Sequence, residues 1–91
     1  MKKIWKYNLT PDRLILEIPV GGAVRYVAGQ HDQICMWIEV DPSQPTEART
    51  FEVFGTGHEI REDMGISRKY LGSVNIQDDR FIFHIYEYTG I

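Results

Sequence analysis

The segment Phe54-Gly55-Thr56-Gly57-His58 combines two glycines, a hydroxyl and an imidazole directly after an apolar run. Glycine allows positive φ angles and close backbone approach, so consecutive N–H groups of such a loop can converge on an anion beside Thr56 and His58. The segment lacks the spacing and the lysine of a P-loop, and it does not match a dinucleotide fingerprint. It predicts a small-ligand loop, and the alternative is a turn that needs glycine only for its backbone geometry.

The remaining residues with chemical potential are the other histidines and one cysteine. His31, His58 and His84 lack the paired spacing of metal ligands, so no metal site is predicted. The single cysteine, Cys35, excludes an intramolecular disulfide and a cysteine-rich zinc site. Its position inside an apolar run favours a small buried side chain over a nucleophile. The sequence therefore predicts no enzyme activity and no cofactor.

Aromatic and cationic residues could complete a ligand site. Trp37 and Tyr26 fall in strand-like segments that also contain polar residues. Aromatic rings stack on bases, and the cations Arg25, Arg68 and Lys69 could neutralise phosphates. Together these residues predict a site for an anionic ligand with an aromatic base. The alternative is that the aromatic residues form a second small core or a subunit interface, where Trp and Tyr are also favoured.

Length and composition describe one small globular domain. The chain has 91 residues, of which 43% are hydrophobic and 25% are charged, so we expect a single domain over residues 1–91. A domain of this size has a thin core, and self-association into a homo-oligomer would stabilise it. The formal net charge of −3 argues against a broad basic face for duplex DNA, but it leaves room for a local basic pocket that binds a small anion.

The sequence shows no sign of export or membrane insertion. After the basic Met1-Lys2-Lys3, the stretch Ile4–Asn8 is too short and too polar for a signal-peptide core, and no run approaches the length of a membrane span. A lone cysteine fits a reducing compartment. We expect a soluble cytoplasmic protein without membrane contact.

Residue alternation predicts the strands that must hold these residues. From Leu14 to Val20, apolar residues recur at every second position, which is typical of a half-buried strand. Ala23–Ala28 and Gln33–Val40 predict a hairpin with His31-Asp32 as its two-residue turn. The two prolines of Asp41–Pro45 end this hairpin in a loop.

The register of this hairpin brings the candidate aromatic residues together. With His31-Asp32 as the turn, Tyr26 pairs with Trp37 and Ala28 pairs with Cys35 on one face. The same register places Arg25 and Val27 on the opposite face.

The second half of the chain predicts one more strand and a second hairpin. A strand over Thr50–Phe54 delivers the glycine loop, and the charged segment Arg61–Lys69 is predicted as a loop or a short helical turn. Tyr70–Ile76 and Phe81–Tyr88 then flank the turn Gln77–Arg80. The predicted core face has Ile76, Val74 and Gly72 opposite Phe81, Phe83 and Ile85, and the other face has Ser73 and Leu71 opposite His84 and Tyr86. About seven strands without a convincing helix predict an all-β fold, a small antiparallel barrel or sandwich.

Five blocks of the sequence resemble a family of short, uncharacterised bacteriophage proteins. In chain order the blocks are Ile4–Tyr7, Met36–Pro42, Phe54–His58, Tyr70–Gly72 and Phe83–Glu87. They span most of the chain, and Phe-Gly-Thr-Gly-His is the most specific of them. Val20–Gly22 and Arg61–Lys69 carry no resemblance. The resemblance implies a phage or prophage origin and the cytoplasm of an infected bacterial host.

The chain is also similar in size to small phage proteins that form compact oligomers and trap nucleotide second messengers of host antiviral signalling. This similarity implies a non-enzymatic protein that sequesters a cyclic di- or oligonucleotide. Loop backbone and cations would hold phosphates, an aromatic ring would stack on a base, and the imidazole would hydrogen-bond a phosphate or base edge. The residues implied are Gly55, Thr56, Gly57, His58, Trp37, Tyr26, Arg25, Arg68 and Lys69.

Two other functions stay open. One is a protein-interaction module whose aromatic face docks a host enzyme or a virion component, with a purely structural glycine loop. The other is a hydrolase that uses His58 with Glu59 or Asp63, and such an enzyme would convert its ligand instead of releasing it intact.

Overall fold

The computed structural model describes residues 1–60 and 67–90, which form seven antiparallel β-strands in two sheets. The strands are β1 (Lys3–Leu9), β2 (Asp12–Pro19), β3 (Ala23–Gln30), β4 (Gln33–Val40), β5 (Thr46–Gly55), β6 (Ser67–Ile76) and β7 (Phe81–Gly90). The predicted all-β class is confirmed, and the two facing sheets make a small sandwich. None of the residues that the structure describes lies in a helix long and apolar enough to cross a membrane.

The two sheets differ in size and in the origin of their strands. Sheet A has three strands in the order β1-β4-β3, and sheet B has four in the order β2-β5-β7-β6. The β3–β4 and β6–β7 pairs are hairpins, whereas β1 and β5 pair with strands that are distant in sequence. The Cα atoms fill a slab of 39 × 36 × 15 Å, so the outer face of each sheet is broad.

The core lies between the inner faces of the two sheets. On β4, Ile34, Met36, Ile38 and Val40 are all buried, as the alternation of this strand predicts. Sheet B contributes Ile18, Phe51, Val53, Val74 and Ile85 to the same cluster. Burying each of these large side chains contributes about 2 kcal/mol to folding, which fixes the faces of the strands that carry the site.

The β3–β4 hairpin confirms the predicted turn. His31 and Asp32 have φ angles of 53° and 58°, the left-handed pair of a two-residue type I′ turn. Tyr26 pairs with Trp37, as predicted, and Ala28 pairs with Cys35 in the same register.

A bulge in β3 overturns the predicted orientation of Arg25. The register shifts between Val24 and Tyr26. Because a bulge places two residues opposite one, Arg25 does not continue the simple alternation. Its guanidinium lies 3.5 Å from the Glu39 carboxylate, on the face that also carries Trp37. The prediction that Arg25 lies on the opposite face from Tyr26 was therefore wrong.

The β6–β7 hairpin follows the predicted register only near its turn. Residues 72–76 pair with residues 81–85 as predicted. A bulge at Leu71 then shifts the register, so that Tyr70 lies opposite Tyr86. The predicted pair of Leu71 with Tyr86 was wrong, because Leu71 instead packs against the core cluster.

Several strand boundaries, and one whole strand, differ from the predictions. Ser67–Lys69 belong to β6 instead of a loop or helical turn, and the rest of that predicted segment, 61–66, lies outside the described residues. β5 begins at Thr46, four residues earlier than predicted. β1 has no counterpart among the strands that alternation identified, because as an edge strand it is exposed at most positions.

The two sheets approach most closely where β3 meets β6. A Cβ on Gly29 would lie 2.5 Å from the Asn75 carbonyl oxygen, so a side chain at this position would push the strands apart. At the end of the two hairpins, the Gln77 N–H donates a hydrogen bond to the Asp32 carboxylate at 3.1 Å. The β3 and β6 edges therefore cover each other.

Candidate functional site

The glycine loop is a tight turn that its own backbone closes. The His58 N–H donates to the Gly55 carbonyl at 3.0 Å, and the Thr56 N–H donates to the Ile82 carbonyl at 3.2 Å. Gly57 has a φ of 87°, the angle that a type II turn requires at its third residue. A Cβ on Gly55 would lie 2.8 Å from the His58 ring. Both glycines therefore serve the geometry of the turn itself.

The Thr56 hydroxyl is engaged by a histidine of β7. Thr56 Oγ1 lies 2.8 Å from His84 Nε2, and the Tyr70 hydroxyl lies 3.1 Å from His84 Nδ1. A neutral imidazole donates through one nitrogen and accepts through the other, so the two hydroxyls complete one chain of hydrogen bonds. The hydroxyl that the sequence suggests as a ligand donor is thus used within the protein.

A cleft of about 570 Å³ lies beside the glycine loop. Gly55 and His58 line it, and its charged lining residues are Asp12, Arg13, Glu52 and Glu59. Carboxylates outnumber the guanidinium among the described lining residues, so the local charge does not favour phosphate. Within residues 1–60 and 67–90, no group of three or more His, Cys, Asp or Glu side chains could hold a metal ion.

Arg68 belongs to a buried charge cluster on the outer face of sheet B. Glu52 is 4% exposed, and it accepts hydrogen bonds from Arg68 Nε at 2.6 Å and from Arg13 Nη2 at 3.0 Å. Burial raises the pKa of Glu52, but the hydrogen bonds and charges of Arg68 and Arg13 lower it further, so the pKa is lowered overall. The Arg13 guanidinium also lies over the Tyr88 ring, 5.2 Å from its centroid. Arg68 is therefore held by Glu52.

The nine predicted site residues lie in three separate places. Gly55, Thr56, Gly57 and His58 form the loop after β5, Arg68 and Lys69 lie on β6, and Arg25, Tyr26 and Trp37 lie together on sheet A. Lys69 is exposed and pairs in register with Glu87. The structure thus brings together the two predicted stacking residues and one predicted cation, away from the glycine loop.

The outer face of sheet A carries an aromatic pair with cations around it. The ring centroids of Tyr26 and Trp37 are 5.6 Å apart, and the ring planes are inclined by 42°. Tyr26 is 63% exposed, and Trp37 is half-buried. Lys6 on β1 lies directly opposite Trp37. We name the surface made by Lys2, Lys6, Arg25, Tyr26, Trp37 and Glu39 the aromatic platform.

The row of residues next to the two rings on sheet A has short side chains. Asn8, Cys35 and Ala28 form one row across the three strands of sheet A. Above this row, Lys6 Nζ donates a hydrogen bond of 2.8 Å to Gln30 Oε1 on β3. Cys35 is 1% exposed, and its thiol lies 3.5 Å from Asn8 Oδ1. The Lys6–Gln30 hydrogen bond therefore crosses this row, and a planar group could lie over the row only after displacing it.

The aromatic platform is basic although the chain as a whole is acidic. Lys2, Lys6 and Arg25 oppose one carboxylate, Glu39, whereas the chain has a net charge of −3. The hydrogen bond and charge of Arg25 lower the pKa of Glu39, and Lys2 Nζ lies 3.6 Å from the same carboxylate. The side chains of Arg25 and Lys2 are 57% and 68% exposed. Because exposed ion pairs are weak, both cations can exchange this partner for an anionic ligand.

Four residues of this region were not predicted as site residues: Lys2, Lys6, Gln30 and Glu39. In an extended strand, Ile4, Lys6 and Asn8 lie on one face, because side chains alternate between the two faces. This spacing is the local signal that could have identified Lys6. Only the pairing of β1 with β4 shows that this face adjoins Trp37.

Fold and site together define a small antiparallel β-sandwich with an exposed face that is both aromatic and basic. The chain belongs to a family described as a domain of unknown function, DUF7352, whose model matches residues 1–90. No curated protein and no solved structure matches the chain.

Proposed function

We propose that this domain is a non-enzymatic binding protein that sequesters a nucleotide second messenger on the aromatic platform. The observation that carries the proposal is the pair of exposed Tyr26 and half-buried Trp37, which lies among Lys2, Lys6 and Arg25. Stacking of a base on an aromatic side chain contributes about 1–3 kcal/mol, and it tolerates different bases. The neighbouring cations supply the phosphate contacts that an isolated aromatic pair lacks.

The spacing of the cations favours a ligand with more than one phosphate. Lys6 lies on β1 and Arg25 lies on β3, so they flank the central strand that carries Trp37. A cyclic di- or oligonucleotide carries several phosphates around its bases, which matches cations on two sides of a stacking surface. This proposal moves the nucleotide site from the glycine loop to sheet A.

The cellular setting that we propose follows the sequence resemblance. A phage protein in the cytoplasm of an infected bacterial host would lower the free concentration of a messenger and so block antiviral signalling. Sequestration requires enough protein and a Kd below the messenger concentration, because it acts by mass action. It requires neither a catalytic group nor a cofactor.

Ligand recovery distinguishes sequestration from catalysis. The protein would be equilibrated with cyclic di- and trinucleotides and adenine-ribose messengers, separated from free ligand and denatured, and the released ligand would be analysed by chromatography. We expect one ligand class to be retained and released unaltered. A converted ligand would instead indicate a hydrolase, and the absence of any retained nucleotide would contradict the proposal.

A second candidate is a protein-interaction module that docks a host enzyme or a virion component. It is favoured by the glycine loop, whose Thr56 and His58 N–H groups and Thr56 hydroxyl are used in internal contacts, as a structural loop requires. Trp, Tyr and Arg also dominate the binding energy of protein interfaces. In that case Tyr26→Ala would abolish capture of a protein partner, and no nucleotide would bind the wild-type protein.

A further inference from the structure

We propose that two copies of this chain pair through their β2 strands and form a symmetric dimer. β2 is an edge strand of sheet B and pairs with β5 on its inner side. An edge strand offers a row of backbone N–H and C=O groups to another strand. The proposal goes beyond the proposed function, because β2 lies in the sheet opposite to the aromatic platform.

The other edges of the described sheets are less suited to pairing. The β3 and β6 edges cover each other, as the contact of Gly29 with the Asn75 carbonyl shows. β1 carries Lys3 and Lys6, and lysines along an edge oppose the addition of a further strand. β2 instead carries Ile15 at its centre, and this side chain is 63% exposed.

The sequence of β2 is complementary to itself about Ile15. In an antiparallel pair with a two-fold axis at Ile15, each residue faces the residue that is equally distant on the other side of the axis. Arg13 then faces Glu17 of the second copy, Leu14 faces Leu16, and Ile15 faces its own copy. Opposite charges and apolar side chains that lie directly across a strand pair stabilise it.

Two prolines limit this pairing to one segment. Pro11 and Pro19 lie equally far from Ile15, so they face each other at both ends of the paired strands. Proline has no N–H to donate to a ladder, and the pairing therefore ends there. Moving the axis to Leu16 would place Glu17 opposite Ile15 and lose the charge pairs, so the sequence favours a single register.

The geometry of Arg13 is compatible with a second carboxylate. Arg13 Nη2 lies 3.0 Å from Glu52, yet its side chain is 44% exposed. A guanidinium has five N–H donors, so it can contact Glu52 and the second copy's Glu17 together. The dimer would join two copies of sheet B into one eight-stranded sheet.

The mass of the full chain in solution tests the dimer. We expect sedimentation equilibrium to give twice the chain mass of 10.6 kDa for the wild-type protein. Ile15→Lys and Ile15→Glu should each be monomeric, because like charges then meet at the axis. An equimolar mixture of the two variants should recover the dimer, which an unfolded variant could not do. Ile4→Lys is the matched control, since Ile4 is 52% exposed on β1, and it should stay dimeric.

Cross-linking tests the register. Ile15→Cys places two thiols at the axis, whereas the thiols of Glu17→Cys would lie about 13 Å apart in the same dimer. We expect I15C to form an intermolecular disulfide roughly tenfold faster than E17C. The buried Cys35 does not compete, because it is 1% exposed. A monomeric wild-type protein, a dimeric I15K variant or equal cross-linking of the two cysteine variants would overturn the proposal.

Discussion

Tyr26 and Trp37 lie opposite each other on β3 and β4, and their ring centroids are 5.6 Å apart. Tyr26 remains 63% exposed in this pair, so one face of the aromatic platform is open to solvent. Lys6 completes the same row on β1. In proteins that bind single-stranded nucleic acids, bases stack on accessible aromatic rings and neighbouring cations hold the phosphates.

Removal of the Tyr26 ring should weaken nucleotide binding. We expect Tyr26→Ala to raise the Kd by roughly 5- to 150-fold, because one base stack is worth about 1–3 kcal/mol. The fold should be preserved, since the side chain is mostly exposed. Isothermal titration calorimetry measures the Kd. Tyr70→Ala is the matched control on sheet B, where the ring is 50% exposed, and an equal loss of affinity in both variants would contradict the location of the site.

Removal of the Lys6 charge should change the salt dependence of binding. We expect Lys6→Gln to bind more weakly and to reduce the slope of log Kd against log salt concentration by about one, because one phosphate contact is lost. Lys69→Gln removes an exposed lysine from β6 and should leave the slope unchanged. Titrations at several salt concentrations give both slopes, and an unchanged slope for K6Q would argue against a phosphate contact at Lys6.

The glycine loop should affect stability and leave ligand affinity unchanged. We expect the double variant Thr56→Ala with His58→Ala to keep the wild-type Kd and to lose about 1 kcal/mol of unfolding free energy, since Thr56 loses its hydrogen bond to His84. Gly57→Ala should cost about 1–2 kcal/mol, because its φ is 87°. Urea denaturation measures both losses. If the double variant no longer bound nucleotide, the ligand site would include the loop.

Acid should destabilise the domain through Glu52. The pKa of Glu52 is lowered in the folded protein, so its contribution to stability is full above the unfolded value of about 4.3 and is lost as the pH falls through the folded pKa. Near neutral pH, Glu52→Gln should destabilise the fold by about 1–3 kcal/mol, because Arg68 and Arg13 lose the buried carboxylate that accepts their hydrogen bonds. The difference between wild type and variant should shrink at low pH.

Urea unfolding between pH 7 and pH 2 measures this dependence. Glu59→Gln is a suitable control, because Glu59 is an exposed carboxylate that lines the same cleft beside the glycine loop as Glu52. Its pH profile should follow that of the wild-type protein. A constant difference between Glu52→Gln and wild type over the whole range would show that the charge of Glu52 does not stabilise the fold.

Local patterns were sufficient for much of the fold. The alternation around Ile18 and Met36 predicts buried faces, because burial repeats every second residue along a strand. His31-Asp32 was predicted as the hairpin turn, and its positive φ angles confirm it. Arg25 and Leu71 were placed wrongly, because each lies at a bulge whose extra residue depends on packing against a partner strand.

The arrangement of the candidate site depends on contacts between distant parts of the chain. Arg68 was predicted as a phosphate ligand from its residue type, but Glu52 holds it on the outer face of sheet B. Lys6 carries no motif, yet the β1–β4 pair places it opposite Trp37. Residue types suggested the candidate cations, whereas only tertiary pairing shows which of these cations lie near the aromatic rings.

The most direct test of the aromatic platform is a thermal-shift screen of wild type and Tyr26→Ala against cyclic di- and trinucleotides and adenine-ribose messengers. A ligand at a hundredfold excess over its Kd stabilises the folded state by about 2.7 kcal/mol, which raises the Tm of a domain of this size by several degrees. We predict such a rise for the wild-type protein and a clearly smaller one for the variant. No rise with any nucleotide, or an equal rise in both proteins, would contradict nucleotide binding at the aromatic platform.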